Sequence, residues 1–344
     1  DPNAGYNRLI SANAWKKMTG EMPKNPIFTA LAAITLISFG MNAQEPDRIV
    51  DLDPILIRAT RPAIDYGIAT HPVLFSEKDF AARARAEMSL EPTLRFLPGL
   101  FVQNATNFAQ DLRISIRGFG ARAAFGVRGI TVLADGIPLS LPDGQAALDS
   151  IDPAFIQSVE LIRNPASVLY GNAAGGVLYM STLAPTEQEI YRLGYESGEG
   201  GLSRFKPTAT GIHGSWGYAL AASHTRLDGF REHNFVENRN LNFKLTHDSG
   251  GNAKYQWVLR AIDSPTADDP GALRAELARA DPTAARTANL IYDAGESVTE
   301  FTLGHTAEWT LPALEVQARL FGTQRDFQNR LPFRGGGAVA IDRW

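Results

Sequence analysis

Cysteine is absent from the 344-residue sequence, which excludes disulfide-bonded scaffolds and metal sites built on thiolates. Positive charge shows no excess, because 33 Lys and Arg stand against 37 Asp and Glu, and this balance argues against a nucleic-acid partner. Lysine is scarce, so most basic residues are Arg, whose planar guanidinium suits fixed hydrogen-bonded geometry. The six His do not fall at metal-ligand spacing, and no nucleophile, acid and base form a recognisable catalytic set. The sequence therefore predicts a protein without enzyme activity, catalytic residues, resident metal or cofactor.

Long hydrophobic runs are also lacking, apart from one segment, Ile27 to Phe39 (IFTALAAITLISF). As a helix this segment would span about 20 Å, which is short of the roughly 30 Å hydrocarbon core of a bilayer. Lys24 precedes it and the small residue Ala43 follows it, in the order typical of a secretory signal. We expect residues 1–43 to be an upstream extension plus a signal peptide that exports the protein. A buried core helix is the alternative.

Residues 44–70 mix acidic, apolar and Pro residues, as a linker does. Within them lies an extended patch made of Pro54, Ile55, Leu56, Ile57, Arg58, Ala59 and Thr60. Pro54 disfavours a central strand before it, and the β-branched residues after it favour an extended backbone. An unpaired segment of this kind can add itself as a strand to the sheet of another protein. The alternative is an ordinary first strand of the domain that follows.

Short strands and short helices alternate over residues 71–185, a pattern typical of a compact α+β domain. Helices are predicted from Ser76 to Ala86, from Ser89 to the residue before Pro98, and directly after a capping residue, Asp152. A helical turn is predicted to end at Gly171. Strands are predicted at 112–116, 130–134, 158–162 and 175–180.

A glycine-rich loop follows the first of these strands. Its residues 118–123 (GFGARA) match the G-x-G-x-x-A pattern of dinucleotide-binding folds. Residues 121–128 are too few for the crossover helix of such a fold, so we reject nucleotide binding. The loop is better suited to present aromatic and guanidinium groups to an anionic ligand, through Phe119, Arg122, Phe125 and Arg128. Pairing of these arginines with nearby carboxylates is the alternative.

Beyond residue 186 apolar and polar residues alternate with period two, as in half-buried strands. The predicted strands lie near 187–196, 203–210, 215–226, 238–247, 253–263, 298–309 and 313–327. Short connections alternate with two long polar ones, 227–237 and 264–297, as in a transmembrane β-barrel. Aromatic residues near the strand ends fit an interfacial girdle: Trp216, Tyr218, Tyr255, Trp257 and Trp309. A β-sandwich is the alternative.

The predicted strands are too few to enclose the domain that precedes them. Seven or eight strands fit in residues 186–344, and a barrel of that size is filled by its own side chains. About 22 strands are needed to surround a plugging domain. We therefore expect an incomplete transmembrane β-barrel, of which residues 186–344 are the N-terminal strands.

Three stretches of the 71–185 domain resemble the plug domain of TonB-dependent outer-membrane receptors: Arg117-Gly118, Val132 to Pro138, and Ile156 to Thr182. The residues that match the family spacing are Arg117, Gly118, Asp135, Gly136, Glu160, Arg163, Pro165, Tyr170, Gly171, Gly175 and Gly176. The resemblance is strongest through the plug and weaker in the strands. It implies an α+β plug domain followed by an antiparallel transmembrane β-barrel, as in receptors for siderophores and other ferric chelates.

The same resemblance implies that residues 54–60 are similar to the TonB box, which pairs with the TonB energy-coupling protein and, through it, with its inner-membrane partners. It also implies an outer-membrane location and contact with outer-membrane lipid.

We therefore expect active uptake of a scarce solute, most simply a ferric siderophore or other iron chelate. The residues expected to face this ligand are Phe119, Arg122, Phe125, Arg128, Asp143 and Gln145. The alternatives are a passive porin, a receptor for cobalamin, another metal chelate or an oligosaccharide, and a soluble periplasmic binding module.

Overall fold

The computed structural model describes residues 74–77, 88–95, 97–103, 107–110, 112–123, 126–141, 144–163, 170–171, 173–333 and 338–343. All of them belong to one compact unit, Ile55–Trp344. The expected signal peptide and the TonB-box-like patch lie outside the described residues, so both stay predictions.

The N-terminal domain, which comprises the elements from β1 to β7, is built on two small sheets. Its elements are β1 (Leu74–Glu77), α1 (Glu91–Leu94), β2 (Leu100–Gln103), β3 (Arg113–Ile116), β4 (Thr131–Ala134), β5 (Ile137–Pro138), two 3-10 helices (Leu148–Ser150 and Pro153–Phe155), β6 (Ile156–Ile162) and β7 (Val177–Thr182). Five strands form one sheet in the order β1-β6-β7-β4-β5, in which β4 and β7 are parallel, while β2 pairs with β3. This mixture confirms the predicted α+β class.

Aliphatic side chains from α1 and from the strands of both sheets form the core of this domain. Its members include Leu94, Leu100, Ile114, Ile116, Val132, Ile156, Val159, Leu161, Leu178 and Met180. All four residues of β4 are buried, as expected for an apolar strand covered on both faces. Among the described residues, the apolar clusters that reach the following sheet are small, such as Phe155 with Ala219 and Ala221. The domain therefore has a core of its own.

The helix predicted from Ser76 is wrong at its start, because residues 74–77 form β1. This strand pairs antiparallel with β6, so that Phe75 lies opposite Glu160, and backbone pairing overrides the local capping signal. The helix predicted from Ser89 is confirmed as α1, although its N-cap residue is Leu90 and makes no side-chain cap. Asp152 caps the second 3-10 helix as predicted, and its carboxylate accepts a hydrogen bond from Ala154 N at 2.7 Å.

Eight antiparallel strands follow and form one large sheet. They are β8 (Ile190–Gly198), β9 (Leu202–His213), β10 (Trp216–Leu227), β11 (Val236–Asp248), β12 (Ala253–Asp268), β13 (Gly295–Leu311), β14 (Leu314–Pro332) and β15 (Ala338–Arg343). Each strand pairs with the next along the chain, and among the described residues β8 and β15 each have one neighbour. The sheet is therefore open, which confirms the expectation of an incomplete barrel.

The connections of the large sheet differ at its two ends. Residues 214–215, 249–252 and 312–313 are short connections at one end, while the longest connections, 228–235 and 269–294, lie at the other. The longest one contains two short helices that sequence analysis treats as loop, α2 (Ala275–Ala280) and α3 (Thr287–Ile291). None of the helices in the described part of the chain is long and apolar enough to cross a membrane.

Candidate functional site

The N-terminal domain contacts one face of the large sheet, here called the inner face, through three ion pairs, two of them buried and one half-buried. The first of them comes from the Asp135-Gly136 turn after β4. The Asp135 carboxylate accepts hydrogen bonds from Thr182 N (3.0 Å), from Thr182 Oγ1 (2.6 Å) and from Lys244 Nζ on β11 (2.7 Å). Asp135 and Lys244 are 6% and 5% exposed, so this pair ties the domain to the sheet in a site that water hardly reaches.

The charge of Asp135 is set by two opposing effects. Burial raises the pKa of the carboxyl, but the Lys244 ammonium and the hydrogen bonds from Lys244 and Thr182 outweigh burial and hold the pKa below its ordinary value. The nearby Tyr179 shows the opposite result, because burial and the Asp135 charge raise its pKa to about 12. At neutral pH the pair therefore consists of a carboxylate beside an ammonium group.

Gly136 completes this contact from the same turn. Its carbonyl oxygen accepts a hydrogen bond from Arg319 Nη1 of β14 at 2.8 Å, and its φ is 77°. A Cβ atom at this position would lie 2.5 Å from the guanidinium carbon of Arg319. The backbone angle favours glycine here, while the nearby guanidinium is the end of a flexible side chain that a larger residue would displace.

A second ion pair is built around the helix-capping residue Asp152. Besides capping the 3-10 helix, its carboxylate accepts hydrogen bonds from the Arg204 guanidinium of β9 and from Ser223 Oγ of β10. Asn240 Nδ2 of β11 lies 3.4 Å from the same carboxylate. Burial raises the pKa of this carboxyl, but the Arg204 charge and the hydrogen bonds lower it by more, so it lies below its ordinary value.

A third ion pair joins Asp149 to β14. Arg325 Nη2 donates to Asp149 Oδ2 at 2.8 Å, and Arg325 Nη1 donates to Glu300 Oε2 of β13 at 2.7 Å. In all three ion pairs the N-terminal domain supplies the carboxylate and the inner face supplies the cation. This one-sided arrangement makes the interface polar and specific rather than apolar.

Arg260 of β12 is another inner-face cation, and it differs from the three that form ion pairs with the N-terminal domain. Its Nη1 atom makes one long hydrogen bond, at 3.4 Å, to the Ala134 carbonyl oxygen, although the residue is 3% exposed. Its Nε and Nη2 atoms have no hydrogen-bond partner among the described residues. A buried guanidinium with unsatisfied donors costs free energy, although the charges of Asp135 and Glu300 lie close enough to favour it.

The motif residues that carry the resemblance hold the backbone of the N-terminal domain together. Gly176 has a φ of 131°, and a Cβ there would overlap the Ile162 carbonyl oxygen. Glu160 is 3% exposed on β6, opposite Tyr179. Arg117 and Gly118 lie in an exposed turn, and Arg163 and Tyr170 are half-buried. Gly171 has a φ of 73°, and Gly175 lies next to Phe119. Pro165 lies outside the described residues. The geometry at Gly176 fits a structural role, while the roles of the other motif residues stay predictions.

The predicted ligand-facing residues are partly brought together. Arg128 Nη2 donates to Gln145 Oε1 at 3.1 Å; Arg128 is exposed and Gln145 is 7% exposed. Arg122 is exposed, while Phe119 is 45% exposed and packs against Gly175. The remaining two candidates, Phe125 and Asp143, lie outside the described residues. A ligand-facing role for this set stays a prediction.

The inner-face cations Arg204, Lys244 and Arg325 were not predicted from the sequence. Each occupies a polar position of an alternating strand, where the sequence alone does not tell whether the side chain faces water or another domain. One sequence signal could have identified them. Neighbouring polar positions on the same or adjacent strands carry uncharged Asn, Ser and Thr, such as Asn242 and Thr302, and such residues suit a protein interface.

Aromatic side chains cluster on the outer face of the large sheet, at the end with short connections. Trp216 stacks on His247 with ring centroids 4.3 Å apart, and Trp257 stacks on His305 at 4.9 Å. Tyr255 and Trp309 complete the cluster. Four of the five predicted girdle residues therefore lie together, whereas Tyr218 contacts Tyr191 instead. Such a belt is typical of the boundary between a membrane and water.

This architecture is similar to that of known proteins. The family model described as TonB-dependent Receptor Plug Domain matches residues 74–177. The hemin receptor of Yersinia enterocolitica is 31% identical over 137 residues, which are 38% of this chain and 17% of that receptor. The pesticin receptor of the same species is 39% identical over 93 residues, or 26% of this chain and 13% of that receptor.

Solved structures show the same fold over a longer stretch. The unliganded ferric citrate transporter FecA matches with a TM-score of 0.64 and 20% identity, over 77% of this chain and 41% of that chain. The ferric yersiniabactin uptake receptor FyuA of Yersinia pestis matches with a TM-score of 0.57 and 16% identity, over 77% and 42%. The chain thus spans less than half of these receptors.

Residues 74–177 belong to the plug-domain family of TonB-dependent receptors, and the chain as a whole is similar to part of such receptors. Its N-terminal domain is a plug domain, and its large sheet is part of a receptor barrel.

Proposed function

We propose that the whole protein imports a scarce solute across the outer membrane, and that this solute is an iron chelate. The observation that carries the proposal is the interface, in which a domain with its own core is held on the inner face by two buried ion pairs and one half-buried ion pair. Such polar contacts can break without exposing the apolar core of the N-terminal domain. A plug domain that moves during transport requires this property. The proposal gives the protein no catalytic step.

The charges at the interface favour an anionic chelate as cargo. Withdrawal of the N-terminal domain would remove the aspartate partners of Arg204 and Lys244, which would then add positive charge to the passage, whereas Arg325 would keep its ion pair with Glu300. Arg122 and Arg128 add exposed positive charge on the glycine-rich loop. The relatives named for hemin and pesticin, and the fold shared with a ferric citrate transporter, support the same choice.

Binding of iron chelates to the full-length receptor tests this cargo. Ferric citrate, a catecholate ferric siderophore and hemin would be titrated into the purified receptor by calorimetry, each beside its iron-free form. We expect one ferric form to bind, and the Arg122→Gln/Arg128→Gln double variant to weaken its binding by at least about tenfold, since charged hydrogen bonds contribute roughly 1.5–3 kcal/mol. Arg192→Gln, at an exposed position of β8, is the matched control. Equal affinity for iron-free and ferric forms would contradict the iron assignment.

Deletion of residues 54–60 tests the proposed coupling to TonB, with which this patch would pair as a strand. Cells that carry the deletion should bind the chelate normally but lose its uptake, because the energy supply would be cut. A passive porin would transport equally well with and without the patch, and a soluble periplasmic module would be released without detergent. Export by residues 1–43 and lipid contact by the outer-face aromatic cluster belong to the same proposal.

A further inference from the structure

Three metal-ligating side chains meet where the two longest connections join the large sheet. His233 lies in the 228–235 connection, Asp268 is the last residue of β12, and Asp293 lies two residues before the start of β13. Their ligand atoms all lie within 4.8 Å of one another. The three residues come from segments far apart in sequence, so the fold is what assembles them.

Hydrogen bonding fixes how His233 presents its ring. Its Nε2 atom lies 2.7 Å from the Ala294 carbonyl oxygen. A carbonyl oxygen can only accept, so Nε2 carries a proton, and in the neutral ring Nδ1 carries the lone pair. A backbone carbonyl that receives the second ring N–H is the usual support of a metal-bound histidine.

The lone pair of His233 Nδ1 faces negative charge. Nδ1 lies 3.8 Å from Asp268 Oδ2, and the other oxygen of Asp268 accepts from Thr266 Oγ1 at 3.2 Å. The His233 and Asp268 side chains are 12% and 19% exposed, so water screens them only in part. Two acceptor atoms this close to each other favour an electron-poor group between them, and a bound metal ion is one that both atoms can ligate.

We propose that His233, Asp268 and Asp293 bind a divalent transition-metal ion of the Zn²⁺ class. One imidazole nitrogen with two carboxylates suits such an ion and balances its charge, whereas Ca²⁺ and Mg²⁺ prefer oxygen ligands alone. The present competitor is Arg330 of β14, whose Nη2 donates to Asp293 Oδ2 at 3.0 Å.

A metal ion at this place would order the rim that contacts the N-terminal domain. Asp269, next to Asp268, accepts hydrogen bonds from Asn107 Nδ2 (3.0 Å) and Gln110 Nε2 (3.1 Å) of that domain. The ion would tie the 228–235 connection to the ends of β12 and β13, and would thus fix the segment that holds these two amides. The site is independent of the proposed cargo.

Titration of ZnCl₂ alone into the full-length receptor, at neutral pH and without any chelate, tests the site. We expect saturable binding of one ion, and a loss of affinity of more than about tenfold in His233→Asn. Asn is chosen because His233 has a φ of 56°, a conformation that Asn tolerates, while its shorter side chain does not reach the ion. His224→Ala is the matched control, since His224 faces one carboxylate, Glu237, at 3.0 Å and belongs to no such cluster among the described residues.

A second variant keeps the test decisive if His233→Asn folds poorly. Arg330→Gln removes the cation that competes for Asp293, and we expect it to tighten Zn²⁺ binding by up to about fivefold. The proposal is overturned if the receptor shows no saturable binding, which would leave an imidazolium–carboxylate pair only. It is also overturned if His224→Ala removes binding as fully as His233→Asn, or if Arg330→Gln does not strengthen it.

Discussion

The Asp135→Asn variant is expected to lose about 3–5 kcal/mol of the free energy that keeps the N-terminal domain folded on the inner face. The substitution removes the negative charge but keeps the shape and the left-handed backbone, because Asn also tolerates the φ of 50° found at this residue. Lys244 then stays buried without its counter-charge, close to the under-bonded Arg260. Hydrogen exchange of the β4 and β7 amides in the full-length receptor, followed over increasing urea, measures the loss.

An exposed ion pair of the large sheet provides the matched control for this variant. Asp248 and Lys254 lie 3.8 Å apart with side chains 55% and 68% exposed, so Asp248→Asn should cost less than about 1 kcal/mol. The double variant Asp135→Asn/Lys244→Met should recover part of the loss, because it also removes the stranded ammonium group. Equal effects of Asp135→Asn and Asp248→Asn would contradict the importance of the buried pair.

Acid should weaken the same interface in a defined range of pH. The pKa values of Asp135 and Asp152 in the folded protein lie below the ordinary value of 3.8. A carboxyl with a lowered pKa contributes its stability in full above the unfolded value, and the contribution disappears as pH falls through the folded value. The interface should therefore keep its strength on acidification to about pH 4 and lose it below, and Asp135→Asn should flatten this dependence.

The Gly176→Ala variant is expected to destabilise the N-terminal domain by roughly 3–5 kcal/mol, and to prevent its docking if the margin is small. Gly176 precedes β7 with a φ of 131°, a region that L-residues rarely adopt, and the added methyl group would overlap the Ile162 carbonyl oxygen. Because Ile162 ends β6, the neighbour of β7, relief of the overlap would separate two central strands. Protease resistance and hydrogen exchange of β6 and β7 measure the effect.

Gly171→Ala separates backbone strain from steric overlap in this test. Gly171 also has a positive φ, 73°, but no atom of the described residues lies within 4 Å of the position that a Cβ would take. Alanine there should cost about 1–2 kcal/mol from the backbone angle alone. If both variants were equally damaging, the overlap with Ile162 would not be the cause.

The sequence predicts strands where apolar and polar residues alternate regularly. It does not predict strand ends where that alternation breaks down. Strand β12 is predicted to end at residue 263, before Pro265, yet it runs to Asp268 through an irregular register between Ser264 and Ala267. A bulge lets proline stay in a strand, because the ladder does not need its missing N–H there. Local signals are weaker still at Ser76, where pairing of β1 with β6 decides the structure.

The candidate site was predicted from one side only. Asp135 and Gly136 stand in a recognisable turn, so the sequence points to them, whereas Lys244 is one polar residue among many on an alternating strand. Its partnership with Asp135 spans more than a hundred residues and depends on the register of β11 and on which face meets the N-terminal domain. Neither quantity is encoded locally, so contacts of this kind require the folded structure.

The dominance of ion pairs at the interface also determines how it yields to a pull. For two unit charges 4 Å apart the attraction is about 4 kcal/mol near a protein surface but about 1 kcal/mol in water, so a gap wide enough to admit water removes most of it. Each ion pair would therefore lose most of its attraction once its two charges move a few ångströms apart, as would happen for Asp135, Asp149 and Asp152. A large apolar contact differs, because it resists separation for as long as apolar area is being exposed to water. The force needed to displace the N-terminal domain should therefore be highest at the start. Once the ion pairs are separated, further displacement would meet little resistance.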